Sequence, residues 1–242
     1  VRSSAASDVY KRQGKYKYGD IEINGGTITA ENGAAIYMPS QGELTITDGT
    51  LNGGVSLRMG QVNISGGTIN ATTSGIDNPG EYYNYSGNVF FPDALYVLNG
   101  TYTSGDDNSL SLNITGGTFN CANGEGSAVA IYDLGKVDQD SDVQISDDAI
   151  LVTNASDRDA YQVLGFHDIG VETPAEGYGD VTLIGQVDTA ISGGSFSTPV
   201  KEEYCDEGYT PVITKNDDGM YTVTQEDPSG STVTGLEISK TS

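Results

Sequence analysis

LNITGGTFNC, residues 112–121, decides the fold because it recurs. Related stretches are IEINGGTITA (21–30), LTITDGTLNG (44–53), VNISGGTINA (62–71) and TAISGGSFST (189–198), with a degenerate copy, VQISDDAILV, at 143–152. YVLNGTYTSG (96–105) reads as a further candidate copy. In VNISGGTIN, Val62 and Ile64 alternate with Asn63 and Ser65, the two-residue period of a strand with one buried face. The glycine pair then turns the chain, since glycine accepts positive φ and close backbone approach. Beyond the turn, Ile69, Phe119 and Phe196 return an apolar side chain to the same interior. One such unit cannot bury its apolar side alone, so units must stack, isoleucine on isoleucine and glycine on glycine.

A second row of short apolar strands lies between the copies: GAAIYM (33–38), GVSLRM (54–59), DALYVL (93–98), SAVAIY (127–132) and AYQVLGF (160–166). The repeat distance varies. Thr27 to Thr50 is 23 residues, Thr50 to Thr68 is 18 and Thr68 to Thr118 is 50, a gap that is expected to hold two coils with insertions. Variable loops on a constant strand scaffold suit a parallel β-helix better than a β-propeller, whose blades need four strands in about 40–45 residues. The expected fold is therefore all-β, a right-handed parallel β-helix (β-solenoid) over 18–207. GYTPVITKNDDGMYTVTQ (208–225) reads as a hairpin turning at Asn216–Gly219, placed to cap an open sheet end.

Composition excludes several function classes. The chain of 242 residues carries 34 acidic and 11 basic residues, net charge −23. Five of the basic residues (Arg2, Lys11, Arg12, Lys15, Lys17) fall in the first 17 positions. The remainder would repel phosphate backbones and anionic membrane surfaces, so no nucleic-acid or membrane partner is expected. High acidity suits an extracellular protein, here expected to be monomeric. Cys121 and Cys205 lack metal-ligand spacing; two free thiols are expected, with pairing as the alternative.

The best ligand candidate is the insertion SGIDNPGEYYNYSGNVFFP (74–92). Tyr82, Tyr83, Tyr85, Phe90 and Phe91 offer rings that could pack on sugar faces, and Asn84, Asn88 and Asp93 could bond hydroxyls. The alternative is that the rings fold back over the wall of the body. Asp138, Asp140 and Asp142 form a D-x-D-x-D run like the first half of a calcium loop. Val143 stands where that loop needs Gly, and Ala149 where it needs Glu, so an EF-hand is rejected. A looser Ca²⁺ site, with Asp133 or Asp147, stays open beside a solvated acidic turn.

Catalytic patterns are weak. Arg58 and Arg158 lack a lyase motif around them. Asp106-Asp107 and Asp147-Asp148 are adjacent pairs, and adjacent strand residues point to opposite faces. His167, the only histidine, has no nucleophile motif near it. No catalytic residue is assigned.

Three resemblances add to this reading. Repeats of the form ISGGTF followed by a segment like GYTPVITKNDDGMYTVT resemble large surface proteins of gut Firmicutes and their relatives, over most of residues 18–225. The resemblance implies a β-helix fold and a surface location, and no reaction. STVTGLEISKTS (231–242) resembles the opening strand of bacterial Ig-like domains of group 2, through Val233, Thr234, Gly235, Leu236, Lys240 and Thr241. Residues 226–242 are thus expected to be a linker and the start of such a domain. SSAASDVYKRQ (3–13) resembles the in-frame translation of a sequencing-library adapter, so 1–17 is expected to be a non-native or disordered leader.

The function expected is a non-enzymatic module on a bacterial surface, for adhesion or for binding a host or dietary polysaccharide. A β-helix polysaccharide lyase or glycoside hydrolase is the alternative, and a structural stalk the second.

Overall fold

A computed structural model of the chain describes residues 19–31, 33–72, 91–99, 109–133, 140–165 and 186–226. These residues are almost wholly strand and turn; the one helical piece is a short 3-10 turn at Glu202–Tyr204. In chain order the strands are β1 (Ile21–Thr29), β2 (Ile36–Met38), β3 (Glu43–Asn52), β4 (Val55–Leu57), β5 (Gly60–Asn70), β6 (Leu95–Asn99), β7 (Leu110–Cys121) and β8 (Val129–Asp133). They continue as β9 (Asp140–Ile145), β10 (Ile150–Thr153), β11 (Tyr161–Gly165), β12 (Gln186–Ile191), β13 (Ser195–Phe196), β14 (Tyr209–Pro211) and β15 (Tyr221–Gln225).

The fold is all-β, with the strands in two sheets. The ten-stranded sheet runs β1-β3-β5-β7-β10-β13-β15-β14, with β9 beside β7 and β12 beside β9. The five-stranded sheet runs β2-β4-β6-β8-β11. From β1 to β8 the chain alternates strictly between them, and all pairing before the C-terminal hairpin is parallel.

The repeat becomes columns of like side chains. Ile23, Ile46, Ile64, Ile114, Ile145 and Ile191 stand in register across six strands. After the glycine corner, Ile28, Leu51, Ile69, Phe119, Leu151 and Phe196 form a second column. The five-stranded sheet answers with Ile36–Val55–Leu95–Val129–Tyr161 and Met38–Leu57–Val97–Ile131–Val163. These columns meet in one apolar cluster. Each fully buried aliphatic or aromatic side chain there stabilises the fold by about 1.5–3 kcal/mol relative to exposure. Thr189 replaces an aliphatic in the column of Leu44, Val62, Leu112 and Val143, and its hydroxyl bonds the Tyr161 hydroxyl at 2.7 Å.

The corner requires glycine for two reasons. Gly117 has φ +91°, and a Cβ on Gly116 would stand 2.5 Å from the Ser65 carbonyl oxygen of the rung beneath. At this corner the backbone of the rung beneath leaves no room for a side chain.

Two expectations are revised. β5 pairs directly with β7, so the 50-residue interval from Thr68 to Thr118 spans one rung step with insertions rather than two coils. Tyr96–Asn99 belong to β6 of the five-stranded sheet, so YVLN is second-row sequence and not a copy of the glycine repeat.

At the C-terminal end, β14 and β15 pair antiparallel, and β15 runs antiparallel along β13. The turn between them is tied by Asn216, whose Oδ1 accepts the Asp218 and Met220 N–H groups at 3.1 and 2.9 Å.

Candidate functional site

Every rung has an outward side, and the two sheets use theirs differently. On the five-stranded sheet, Leu95 and Val97 point into the core, so Tyr96 and Leu98 face away from it. The outward register row is Tyr37, Ser56, Tyr96, Ala130 and Gln162, with Arg58 and Tyr132 on the same side. Yet Ser56, Arg58, Tyr96, Leu98, Ala130, Tyr132 and Gln162 are all buried. Arg58 donates from Nη1 to Ser56 Oγ (3.1 Å) and the Leu57 carbonyl (2.9 Å), and its guanidinium lies 5.4 Å from the Tyr37 ring centre.

Asp93 anchors this face. Its Oδ1 accepts the Ser127 N–H at 2.7 Å and its Oδ2 accepts the Tyr132 hydroxyl at 2.6 Å. Burial pushes the Asp93 carboxyl up to about 6, against the downward pull of those bonds and of the Arg158 charge. Nearby, Cys121 Sγ and Asn123 Nδ2 both donate to the Pro92 carbonyl, at 3.1 and 2.6 Å. Burial, then the Asp93 charge, pushes the Cys121 thiol up to about 12, so it is a poor nucleophile. Burial likewise lifts Tyr96 to about 12. The arrangement closes a corner: Asp93, Tyr132, Cys121 and Asn123 are spent on protein partners, while the Ser127 hydroxyl and Gln162 Nε2 are buried with none among the described residues.

The residues singled out from sequence fall in different places. Tyr82, Tyr83, Tyr85, Phe90 and Asp138 lie outside the described residues, as do Asp106, Asp107 and His167. Phe91 is 3% exposed, with its ring centre 4.1 Å from that of Tyr132 and 5.3 Å from that of Tyr96. Asp93, next to it, spends both carboxylate oxygens internally. Asp140 and Asp142 are exposed on the outward side of β9, and Asp142 stands in register with Asp188 of β12. Among the described residues no three His, Cys, Asp or Glu side chains gather to hold a metal. Asp147 and Asp148 form the turn between β9 and β10. Cys121 and Cys205 are both free thiols.

On the ten-stranded sheet the outward side is open. The half before the glycine corner carries the rows Glu22–Thr45–Asn63–Asn113–Gln144–Ala190 and Glu43–Gln61–Ser111–Asp142–Asp188. The half after it carries Thr27–Thr50–Thr68–Thr118–Ile150–Ser195–Thr222 and, beside it, Thr29–Asn52–Asn70–Asn120–Val152. The second of these is a hydrogen-bonded ladder. Asn120 Nδ2 donates to Asn70 Oδ1 (3.3 Å), Asn70 Nδ2 to Asn52 Oδ1 (2.9 Å), and Asn52 Nδ2 to Thr29 Oγ1 (3.3 Å). Its signal was present in the repeat, as the Thr-x-Asn that follows the corner in three copies. The Asp93–Tyr132 contact had no local signal, because its partners are 39 residues apart.

No family model, curated protein or solved structure matches this chain.

Proposed function

We propose that this chain is a parallel β-helix from the surface of a bacterium, acting as a non-enzymatic module for glycan binding or adhesion. The coil reading is supported by strict alternation between two parallel sheets and by columns that keep register over six strands. The C-terminal hairpin then acts as a cap, since its antiparallel pairing ends the parallel series at β13.

The observation that carries the functional reading is the contrast in how polar groups are used. Asp93 and Tyr132 on the short sheet spend their polar atoms on each other and on Ser127 N–H, out of solvent, whereas the long sheet, beyond its glycine corner, exposes in-register rows of hydroxyl and amide groups. A stacked wall of that kind is suited to repeated weak contacts with a repeating ligand, where many modest hydrogen bonds add.

The test is binding of the purified 242-residue chain to a panel of neutral and acidic polysaccharides, with turnover monitored on the same panel. Binding of at least one glycan with no release of reducing ends or unsaturated products supports the reading. Product formation overturns it in favour of a lyase or hydrolase, and binding to none of the panel overturns it outright.

A further inference from the structure

The protein has net charge −23, yet one strip of its surface holds no charge. Neither outward row after the glycine corner contains an Asp, Glu, Lys or Arg over seven rungs in the first row and five in the second. The rows before the corner contain Glu22 and Glu43 on β1 and β3, and Asp142 and Asp188 on β9 and β12. We infer that this strip is a binding track for one extended chain of a neutral, β-linked polysaccharide lying across the strands, an inference that rests on the glycan-binding reading above.

Three observations converge on that ligand. The first is charge: a neutral chain loses nothing by lying on a neutral strip, whereas uronate or sulfate groups would be repelled by the acidic body around it. The second is period. Adjacent parallel strands are about 4.8 Å apart, close to the advance of one hexose along an extended β-linked chain, so successive sugars meet successive rungs. Two outward rows suit a ribbon one sugar wide. The third is chemistry. Each amide of the ladder uses one of its two N–H donors on a neighbouring rung, leaving the other for a ligand hydroxyl. The ladder fixes these amides in place before binding, which lowers the ordering cost. In the same rows, Ile150 and Val152 interrupt the polar run. Ile150 is 40% exposed, one of only two large hydrophobics so exposed among the described residues. An apolar side chain in line with hydroxyls and amides matches a sugar ring, which has apolar faces and a polar rim.

The test compares two variants that add the same three charges to the same strands. The track variant is Thr50→Glu, Thr68→Glu and Thr118→Glu; the control is Thr45→Glu, Asn63→Glu and Asn113→Glu. Depletion from solution is measured on microcrystalline cellulose, insoluble mannan and arabinoxylan as neutral probes, and on cross-linked polygalacturonate as the acidic one. The inference expects wild type to bind a neutral probe and the track variant to bind it at least about 10-fold more weakly, with the control within about 2-fold of wild type. Equal binding by wild type and track variant, or equal loss in both variants, overturns it. Binding to polygalacturonate alone also overturns it while leaving the glycan-binding reading intact; binding to no probe of either class removes both. If the track variant loses its cooperative melt, Thr68→Val with Ile150→Ser replaces it, and the same outcomes decide.

Discussion

The outward side of the five-stranded sheet and that of the ten-stranded sheet are made by a chain that alternates between the two, and they have opposite characters. The first puts Tyr96, Tyr132, Phe91 and Arg58 out of solvent, with Tyr132 bonded to Asp93 and stacked near Phe91, and Arg58 bonded to Ser56 and the Leu57 carbonyl. The second lines up threonine, asparagine and serine beside water. Both share one interior, so the core does not decide which sheet is sealed on its outward side. What decides is the size and number of bonding groups on the outward positions: bulky rings need cover, and short polar side chains do not.

The largest effect that tests this contrast compares inner and outer neighbours on one strand. Ile114→Ala should cost about 2–5 kcal/mol, by removing a buried side chain from the isoleucine column. Asn113→Ala, one residue away on the open side, should stay within about 0.5 kcal/mol of wild type. Chemical denaturation of the two variants checks both; similar losses would mean the open side is not open.

The sealed side should also respond to pH. The carboxyl of Asp93 titrates near 6 when folded, above its ordinary value of 3.8. A raised acid binds its proton more tightly in the folded state, so its contribution to stability is fully present below about 4 and is lost as pH rises through about 6. The difference corresponds to about 3 kcal/mol. Asp93→Asn should remove this part of the pH dependence. Going from pH 7.5 to pH 4 should therefore raise the denaturation midpoint more, or lower it less, in wild type than in the variant, since the other carboxylates are common to both.

Tyr132→Phe tests the same contact from the other partner. It deletes the hydroxyl that donates to Asp93 Oδ2 and leaves that oxygen buried, with an expected loss of about 1–3 kcal/mol at pH 7.5. The loss should shrink at pH 4, where the carboxyl is protonated; an equal loss at both pH values would mean the hydroxyl contributes by packing alone.

The smallest effect is at the irregular corner. Asp147 has φ 51°, left-handed backbone, whereas the positive-φ residues at the other described corners of the long sheet are glycines. Asp147→Gly relieves that strain at some entropic cost and should stabilise the protein by about 0.5–1 kcal/mol. Thermal melting checks the sign.

The rungs were legible in sequence because their information is local. An apolar residue at every second position, a glycine pair and a returning apolar residue occupy ten residues, and these became β1, β3, β5, β7, β9–β10 and β12–β13 in register. The second row likewise became β2, β4, β6, β8 and β11. The rung step from Thr68 to Thr118 was misjudged because its length reflects inserted loops, and loop length carries no record of pairing. The fate of Phe91 and Asp93 was not legible either. Both sit at the edge of an aromatic, asparagine-rich run that reads as a ligand loop, and only the position of Tyr132 on the neighbouring strand β8 decides that they are buried. The outward threonine and asparagine rows were legible in the repeat itself, as the Thr-x-Asn that follows the glycine corner.

The asparagine ladder has one further property: a direction. All three of its bonds donate the same way, from Asn120 toward Thr29. Amide dipoles set head to tail polarise one another, so the series acts as a unit more than as separate bonds. A substitution at Asn70 cuts that series in the middle, and its effect should reach the amides on both neighbouring strands, β3 and β7.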